Sequence, residues 1–111
     1  MVPNRSAHHS LAENLKRRVL DGLGETDPLL RQRVAARVAG GPPLEPPFDD
    51  LARQIGEAAY GATDAQVAAV RTATGSDKAA FEIVATAAVA AGLLRWEHAV
   101  KALTEAENAP T

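Results

Sequence analysis

Four ionisable side chains could take part in acid–base chemistry, and all lie in the second half of the chain. The candidate catalytic residues are Glu57, Glu82, Arg95 and His98. Glu82 begins a nearly apolar run, and a carboxylate in apolar surroundings has the raised pKa that proton transfer uses. His98 would titrate near neutral pH as a general acid or base. Arg95 follows the run, where a guanidinium must find a carboxylate, a carbonyl oxygen or a ligand anion.

Each of these residues also has a structural interpretation, which the sequence favours. Glu82 would lie in the first turn of a helix, where the helix dipole favours a negative charge. His98 would be a half-exposed surface side chain. Arg95 would form an ion pair, within the chain or across a subunit interface. The sequence therefore leaves the presence of an active site open and leans against it.

Other polar clusters favour surface roles. Asp49, Arg53 and Glu57 are spaced i, i+4, which is typical of a solvated salt-bridge ladder on a helix. His8 and His9 have no third ligand at a suitable spacing, so we expect no metal site. Five arginines spread round the first two predicted helices, without interleaved aromatic residues, and indicate a solvated or inter-subunit surface rather than a nucleic-acid site. They are Arg17, Arg18, Arg31, Arg33 and Arg37.

Composition limits the class of protein. The chain has 111 residues and no cysteine, so it forms one domain and cannot use disulfides, thiolate metal sites or thiol catalysis. Residues 1–41 carry seven basic and four acidic residues, a net +3, and residues 42–111 carry five and ten, a net −5. These opposite charges suit packing of one part on the other or on a second copy. The N-terminus lacks the apolar core of a signal peptide, so we expect a cytoplasmic protein. We also expect no cofactor.

The central structural element is a long helix from Lys78 to about Glu105. Only Thr86 is polar between Ile83 and Leu94, and a helix that is apolar all round is normally buried. Twelve residues span about 18 Å, well short of the roughly 30 Å of a bilayer core. The pattern therefore predicts a core helix and no membrane span. Gly92 is a point at which this helix could bend.

The rest of the chain predicts four further helices and no strand, because alternation with a period of two is missing. The predicted helices cover residues 7–20, a stretch from Pro28 to the glycines at 40 and 41, residues 48–60 and residues 64–73. Asp27 is a typical N-cap before a proline, Thr63 with Gln66 forms a capping-box pattern, and Ser76 is the predicted cap of the long helix. The fold class is therefore all-α. Residues 1–41 form a basic helical pair, residues 42–47 a proline-rich connector and hinge, and residues 48–107 the core of a single domain.

The second half of the chain resembles a known family. The resemblance is carried by Gly-Ala-Thr-Asp-Ala-Gln-Val at residues 61–67, Ser-Asp and Phe-Glu-Ile-Val within residues 76–84, and Ala-Gly-Leu-Leu-Arg-Trp at residues 91–96. A short capped helix, a turn and a long alanine-rich helix in this order are similar to the C-terminal half of the carboxymuconolactone decarboxylase and AhpD-like (alkylhydroperoxidase-like) superfamily. The resemblance covers residues 48–103. It implies an AhpD-like helical bundle that assembles into trimers, hexamers or related homo-oligomers.

The catalytic motif of the AhpD-like peroxidases is missing. Those enzymes carry Cys-x-x-Cys and a histidine, because one thiolate attacks peroxide and the second resolves the sulfenic acid. The corresponding positions fall near Pro46, Asp49 and Arg53. The resemblance therefore does not imply thiol peroxidase activity for this chain.

Two functions follow as hypotheses. The first is a cysteine-free, oligomeric binding or scaffold module that binds a partner protein or a small organic ligand. The alternative is a cysteine-independent enzyme of the carboxymuconolactone decarboxylase type, which would act on a small organic acid through Glu57, Glu82, Arg95 and His98. A helix-turn-helix regulator is a third, weaker hypothesis. The first two hypotheses differ in one structural expectation. The enzyme requires the four candidate residues to converge on one pocket, and the binding module does not.

Overall fold

The computed structural model describes residues 5–57 and 62–108, the first five of them by backbone alone, and these residues form five α-helices. The helices are α1 (Arg5–Asp21), α2 (Pro28–Val38), α3 (Phe48–Glu57), α4 (Asp64–Thr74) and α5 (Asp77–Asn108). The described residues contain no strand. The all-α prediction with a long C-terminal helix is therefore confirmed. The end predicted for the third helix, at residues 58–60, lies outside the described residues.

Helix α5 is central, because each of the other four helices packs against it. Its buried side chains lie on one face, where Ile83 and Ala87 are fully buried. The remaining core comes chiefly from α2 and α3, through Val34, Leu51 and Ile55. Burying these apolar side chains supplies most of the stabilisation of the bundle.

In the single chain, α5 is buried on one face only. Phe81 is 70% exposed, and Ala88 and Gly92 also face solvent. We expected the whole apolar run to be buried, but within a single chain only its core side is. The helix has 32 residues, about 48 Å at 1.5 Å per residue, in a molecule whose longest dimension is 55 Å.

The predicted start of α2 is confirmed. The Asp27 carboxylate accepts a hydrogen bond from the Leu29 N–H at 2.9 Å, and Pro28 occupies the first helical turn, where its missing N–H costs nothing. Gly40, with φ of 96°, follows the helix in the left-handed conformation that favours glycine. Local sequence alone therefore determines both ends of α2.

The predicted capping box of α4 is also present. The Gln66 N–H donates to Thr63 Oγ1 at 3.1 Å, and the Thr63 N–H donates to Gln66 Oε1 at 3.0 Å. Gly75, with φ of 93°, ends α4. Ser76 then accepts from the Ala79 N–H at 3.0 Å, so it caps α5 as its sequence predicts.

The proline-rich connector packs against the bundle. Leu44 is buried and its N–H donates to the Asp49 carboxylate at 2.9 Å. Arg37 donates to the same carboxylate at 2.7 Å and to the Gly41 carbonyl at 3.0 Å. These hydrogen bonds join the end of α2, the connector and the start of α3. The first two helices, α1 and α2, pack on α5 of their own chain.

Helix α5 is long and apolar enough to cross a membrane by length and composition, and it is the one such helix among the described residues. One third of its most apolar window, 33%, is buried inside the bundle. The core helix of a soluble protein meets the same criteria, so this finding does not decide the localisation of the protein.

Candidate functional site

The four predicted catalytic residues lie apart. Glu57 is exposed at the end of α3, and Arg95 and His98 are exposed on α5. Glu82 is half-buried near the start of α5, thirteen residues before Arg95, or about 20 Å along the helix. Among the described residues, no hydrogen bond or ion pair joins any two of the four. They do not form one constellation.

The Glu82 carboxylate is bound by the loop between α1 and α2. It accepts hydrogen bonds from the Glu25 N–H at 2.8 Å, the Thr26 N–H at 2.9 Å and the Thr26 hydroxyl at 2.7 Å. Burial raises the pKa of Glu82, but these hydrogen bonds and the nearby positive charge of Arg31 together outweigh burial and lower it to about 2. The raised pKa that the catalytic interpretation of Glu82 requires is therefore absent, because these donors come from a loop that is distant in the sequence.

Gly24 lets the loop approach this carboxylate closely. A Cβ atom at this position would lie 2.5 Å from Glu82 Oε1, which is closer than real Cβ contacts. The loop backbone thus surrounds an ionised side chain that has little capacity left for proton transfer. Glu82 connects the α1–α2 loop to α5 and has a structural role.

Arg31 is buried, with 4% of its surface exposed, although the sequence predicted a solvated or inter-subunit arginine. Its guanidinium donates to the Val19 carbonyl at 2.7 Å, in the last turn of α1, and to the carbonyl of Gly22, which directly follows the helix. These carbonyls would otherwise lack partners at a helix terminus. The burial of Arg31 could have been inferred from its spacing with Val34 and Val38, because this spacing places all three residues on the same, buried face of α2.

The predicted ladder on α3 is wrong for Asp49. This carboxylate faces α2, where Arg37 Nε lies 2.7 Å from it. The hydrogen bond from the Leu44 N–H, followed by the interaction with Arg37, lowers the pKa of Asp49. Arg53 instead lies 3.9 Å from Asp50, and both of these side chains are exposed.

A groove with a volume of about 280 Å³ lies between α1, α2 and α5. We call it the α1/α2/α5 groove. Its walls are mainly apolar, and Lys16 of α1, Gln32 of α2 and Glu97 of α5 are the charged and amide side chains that line it. Since Glu82 near the start of α5 contacts the loop after α1, while Lys16 and Glu97 share this groove, α1 runs antiparallel to α5. The apolar walls include Val19, Leu20, Ala35, Val89, Leu93 and Leu94.

The volume suits a small organic molecule, because it lies near the lower end of the roughly 300–1,000 Å³ that ligand pockets enclose. None of the four predicted catalytic residues lines this groove. Thr86 does, and its hydroxyl donates to the Glu82 carbonyl at 2.6 Å, as is common for threonine inside a helix. The sequence did not identify this site, because its walls come from three separate helices.

A second, more open groove of about 410 Å³ lies between α4 and α5. Phe81 and Val67 contribute to its apolar surface, and Arg71 is paired with Asp77 at its edge. The charged groups that line this groove are this ion pair and the exposed carboxylate of Asp64.

No group of three or more histidine, aspartate or glutamate side chains is arranged to bind a metal ion in the part of the chain that the structure describes. Neither the predicted residues nor the grooves therefore point to a particular reaction. In comparisons with protein families, curated proteins and solved structures, nothing matches the chain.

Proposed function

We propose that this chain is an oligomeric binding or scaffold module, of the AhpD-like type but without thiol peroxidase chemistry. In this proposal the α1/α2/α5 groove binds a small, mainly apolar organic molecule. The observation that carries the proposal is the groove itself, which combines apolar walls from three helices with two charged side chains, Lys16 of α1 and Glu97 of α5. A partner protein could be recruited by the loaded module.

The arrangement of ionisable groups favours binding over catalysis. A general acid or base must lie within hydrogen-bond reach of the bound substrate. Arg95 and His98 are exposed and do not line the groove, and Glu82 is occupied by three hydrogen bonds. The alternative, a decarboxylase-type enzyme, would have to use Lys16 and Glu97 instead, neither of which the sequence indicated.

The chemistry of the groove limits the ligand. Apolar walls favour a compact ring or a short aliphatic body, because burying such surface contributes about 25 cal/mol per Å². Lys16 would bind an acidic or carbonyl group of the ligand, and Glu97 would accept from a hydroxyl or amine. The proposed ligand is therefore a small amphipathic molecule rather than a highly charged one.

Ala36 offers a direct test of the groove. It lines the groove and its side chain is exposed, so Ala36→Phe would fill the groove without disturbing the core. Ala69→Phe makes the same change at an exposed position of α4, away from the groove, and serves as the control. Fluorescence titration with 8-anilinonaphthalene-1-sulfonate should show binding to the parent protein and to Ala69→Phe. We expect binding to fall at least tenfold in Ala36→Phe; equal binding by all three proteins would contradict the proposal.

A further inference from the structure

The side of α5 opposite the core carries a continuous apolar strip. Phe81 and Leu103, at its ends, are 70% and 57% exposed. We call these residues the outer strip; in order they are Phe81, Ala85, Ala88, Gly92, Trp96, Ala99 and Leu103. Their spacing of four, three, four, four, three and four residues keeps them on one side of the helix.

Gly92, in the middle of the strip, has no explanation within the chain. A Cβ atom there would meet nothing within 4 Å, and the residue lies inside a continuous helix. Glycine destabilises a helix interior relative to alanine, and its usual advantage is the close approach of another backbone. A second helix crossing at Gly92 would use that advantage.

The outer strip is symmetric about Gly92. Phe81 and Leu103 lie eleven residues before and after it, and Ala85 and Ala99 lie seven residues before and after. A two-fold interface requires such self-complementarity, because each residue must contact the symmetry-related position of the other copy. An antiparallel pair of α5 helices would place Phe81 against Leu103 at both ends, the bulky Trp96 against the small Ala88 on either side of the centre, and Gly92 at the crossing.

Charged residues at the edge of the outer strip also favour an antiparallel pair of α5 helices. Lys78 lies fourteen residues before Gly92, and Glu107 lies fifteen residues after it on the same edge of the helix. In an antiparallel pair, side chains on the same edge of the two helices face each other, so Lys78 of each copy comes near Glu107 of the other. The two helix dipoles also oppose each other, which is favourable. In a parallel pair, Lys78 and Glu107 lie at opposite ends of the two helices and cannot meet.

We infer that two copies of this chain associate through the outer strip, with their α5 helices antiparallel and crossing at Gly92. The inference rests on the oligomeric part of the proposed function and is independent of the groove. A strip about 33 Å long and about 10 Å wide on each copy covers roughly 660 Å² in total, below the roughly 1,200–2,000 Å² of stable interfaces and in the range of weak, transient ones. The pair is therefore reversible and forms at micromolar or higher concentrations.

Single cysteines test the interface, because the chain has none of its own. Gly92→Cys places two thiols beside the two-fold axis, so mild oxidation should convert most of the protein into a covalent dimer. Arg33→Cys, at an exposed position of α2, is the matched control and should remain mostly uncross-linked. Equal cross-linking of the two variants would overturn the inference.

Mixing two variants tests the direction of the helices. Phe81→Cys mixed with Leu103→Cys should cross-link at least fivefold more than either variant alone, because the antiparallel pair brings these two positions together. Preferential cross-linking of Phe81→Cys to itself would show a parallel pair and overturn the inference.

A charged substitution separates this interface from oligomerisation in general. Gly92→Glu should shift the protein to monomers in sedimentation velocity, while circular dichroism shows unchanged or higher helix content. Ala69→Glu is the control and should associate as the parent protein does. An oligomer that persists in Gly92→Glu would overturn this interface and leave the proposed oligomeric module intact. A parent protein that stays monomeric up to millimolar concentration, or binds phosphatidylcholine vesicles as a monomer, would overturn both this interface and the oligomeric part of the proposed function.

Discussion

Thr26 donates two hydrogen bonds to Glu82, one from its backbone N–H at 2.9 Å and one from its hydroxyl at 2.7 Å. The two residues are 56 positions apart in the chain. Their contact connects the loop after α1 to the start of α5, and together with the Glu25 N–H it gives the ionised Glu82 carboxylate three hydrogen bonds. A residue that resembled a catalytic acid in the sequence thus stabilises the fold.

Replacing Glu82 should destabilise the protein. Glu82→Ala removes three hydrogen bonds to a charged acceptor, and at about 1 kcal/mol each we expect a loss of about 2–4 kcal/mol in the free energy of unfolding. Urea denaturation measures this. Glu57→Ala, at an exposed carboxylate, is the control and should change stability by less than about 0.5 kcal/mol. Similar stability of the two variants would contradict the structural role of Glu82.

The lowered pKa of Glu82 also predicts that the stability of the folded protein depends on pH in the acidic range. Its pKa in the folded protein is about 2, below the ordinary value of 4.5. A lowered folded-state pKa contributes stability that is fully present above pH 4.5 and is lost as the pH falls through 4.5 toward 2. The parent protein should therefore lose more stability than Glu82→Gln between pH 5 and pH 2, as thermal unfolding would show. Parallel pH profiles for the two proteins would be inconsistent with the lowered pKa.

Arg31 should be more important for stability than its exposed neighbour Arg33. Arg31→Ala leaves the Val19 and Gly22 carbonyls without their donor and creates a cavity, so we expect a loss of about 3 kcal/mol. Arg33→Ala should cost little, because its side chain is exposed. Chemical denaturation of both variants provides the comparison, and equal midpoints would show that the buried hydrogen bonds of Arg31 contribute nothing.

Two glycine substitutions should have opposite effects. Gly24→Ala forces the Glu82 carboxylate to move and should destabilise the protein by about 1–3 kcal/mol. Gly92→Ala meets open space in an exposed helix and should stabilise the monomer by about 0.5–1 kcal/mol. Thermal unfolding at low protein concentration measures both, since association at the outer strip is then weak. A destabilising Gly92→Ala would mean that α5 bends at this residue.

The exposed candidates on α5 should be dispensable for binding in the α1/α2/α5 groove. Arg95→Ala and His98→Ala do not alter its lining, so the dissociation constant for 8-anilinonaphthalene-1-sulfonate should change less than twofold. Glu97→Ala changes the lining of the groove, so it should alter this dissociation constant by more than about twofold. A large loss of affinity in His98→Ala would return that residue to the candidate site.

Features that depend on neighbouring residues could be predicted from the sequence. The Asp27 N-cap, the Thr63–Gln66 capping box and the Ser76 cap are each satisfied within three residues, so local patterns were sufficient. The all-α class and the long C-terminal helix followed from the same kind of information.

Features that join distant parts of the chain were not predicted. Asp49 has an i, i+4 neighbour in Arg53, yet it pairs with Arg37 of α2, because tertiary packing brings a closer partner. The pKa of Glu82 depends on a loop 56 residues away. The groove takes its walls from three helices, so no single segment of sequence reveals it. The resemblance to the AhpD-like superfamily remains a prediction.

Native mass spectrometry of the freshly purified protein tests the proposed function most directly, because one spectrum reports both the number of subunits and any retained small molecule. We expect an oligomer of the parent protein with added mass, and an oligomer of Ala36→Phe without it. A bare monomer of the parent protein, or the same added mass on Ala36→Phe, would contradict the proposal that this chain is an oligomeric module that binds a ligand in the α1/α2/α5 groove.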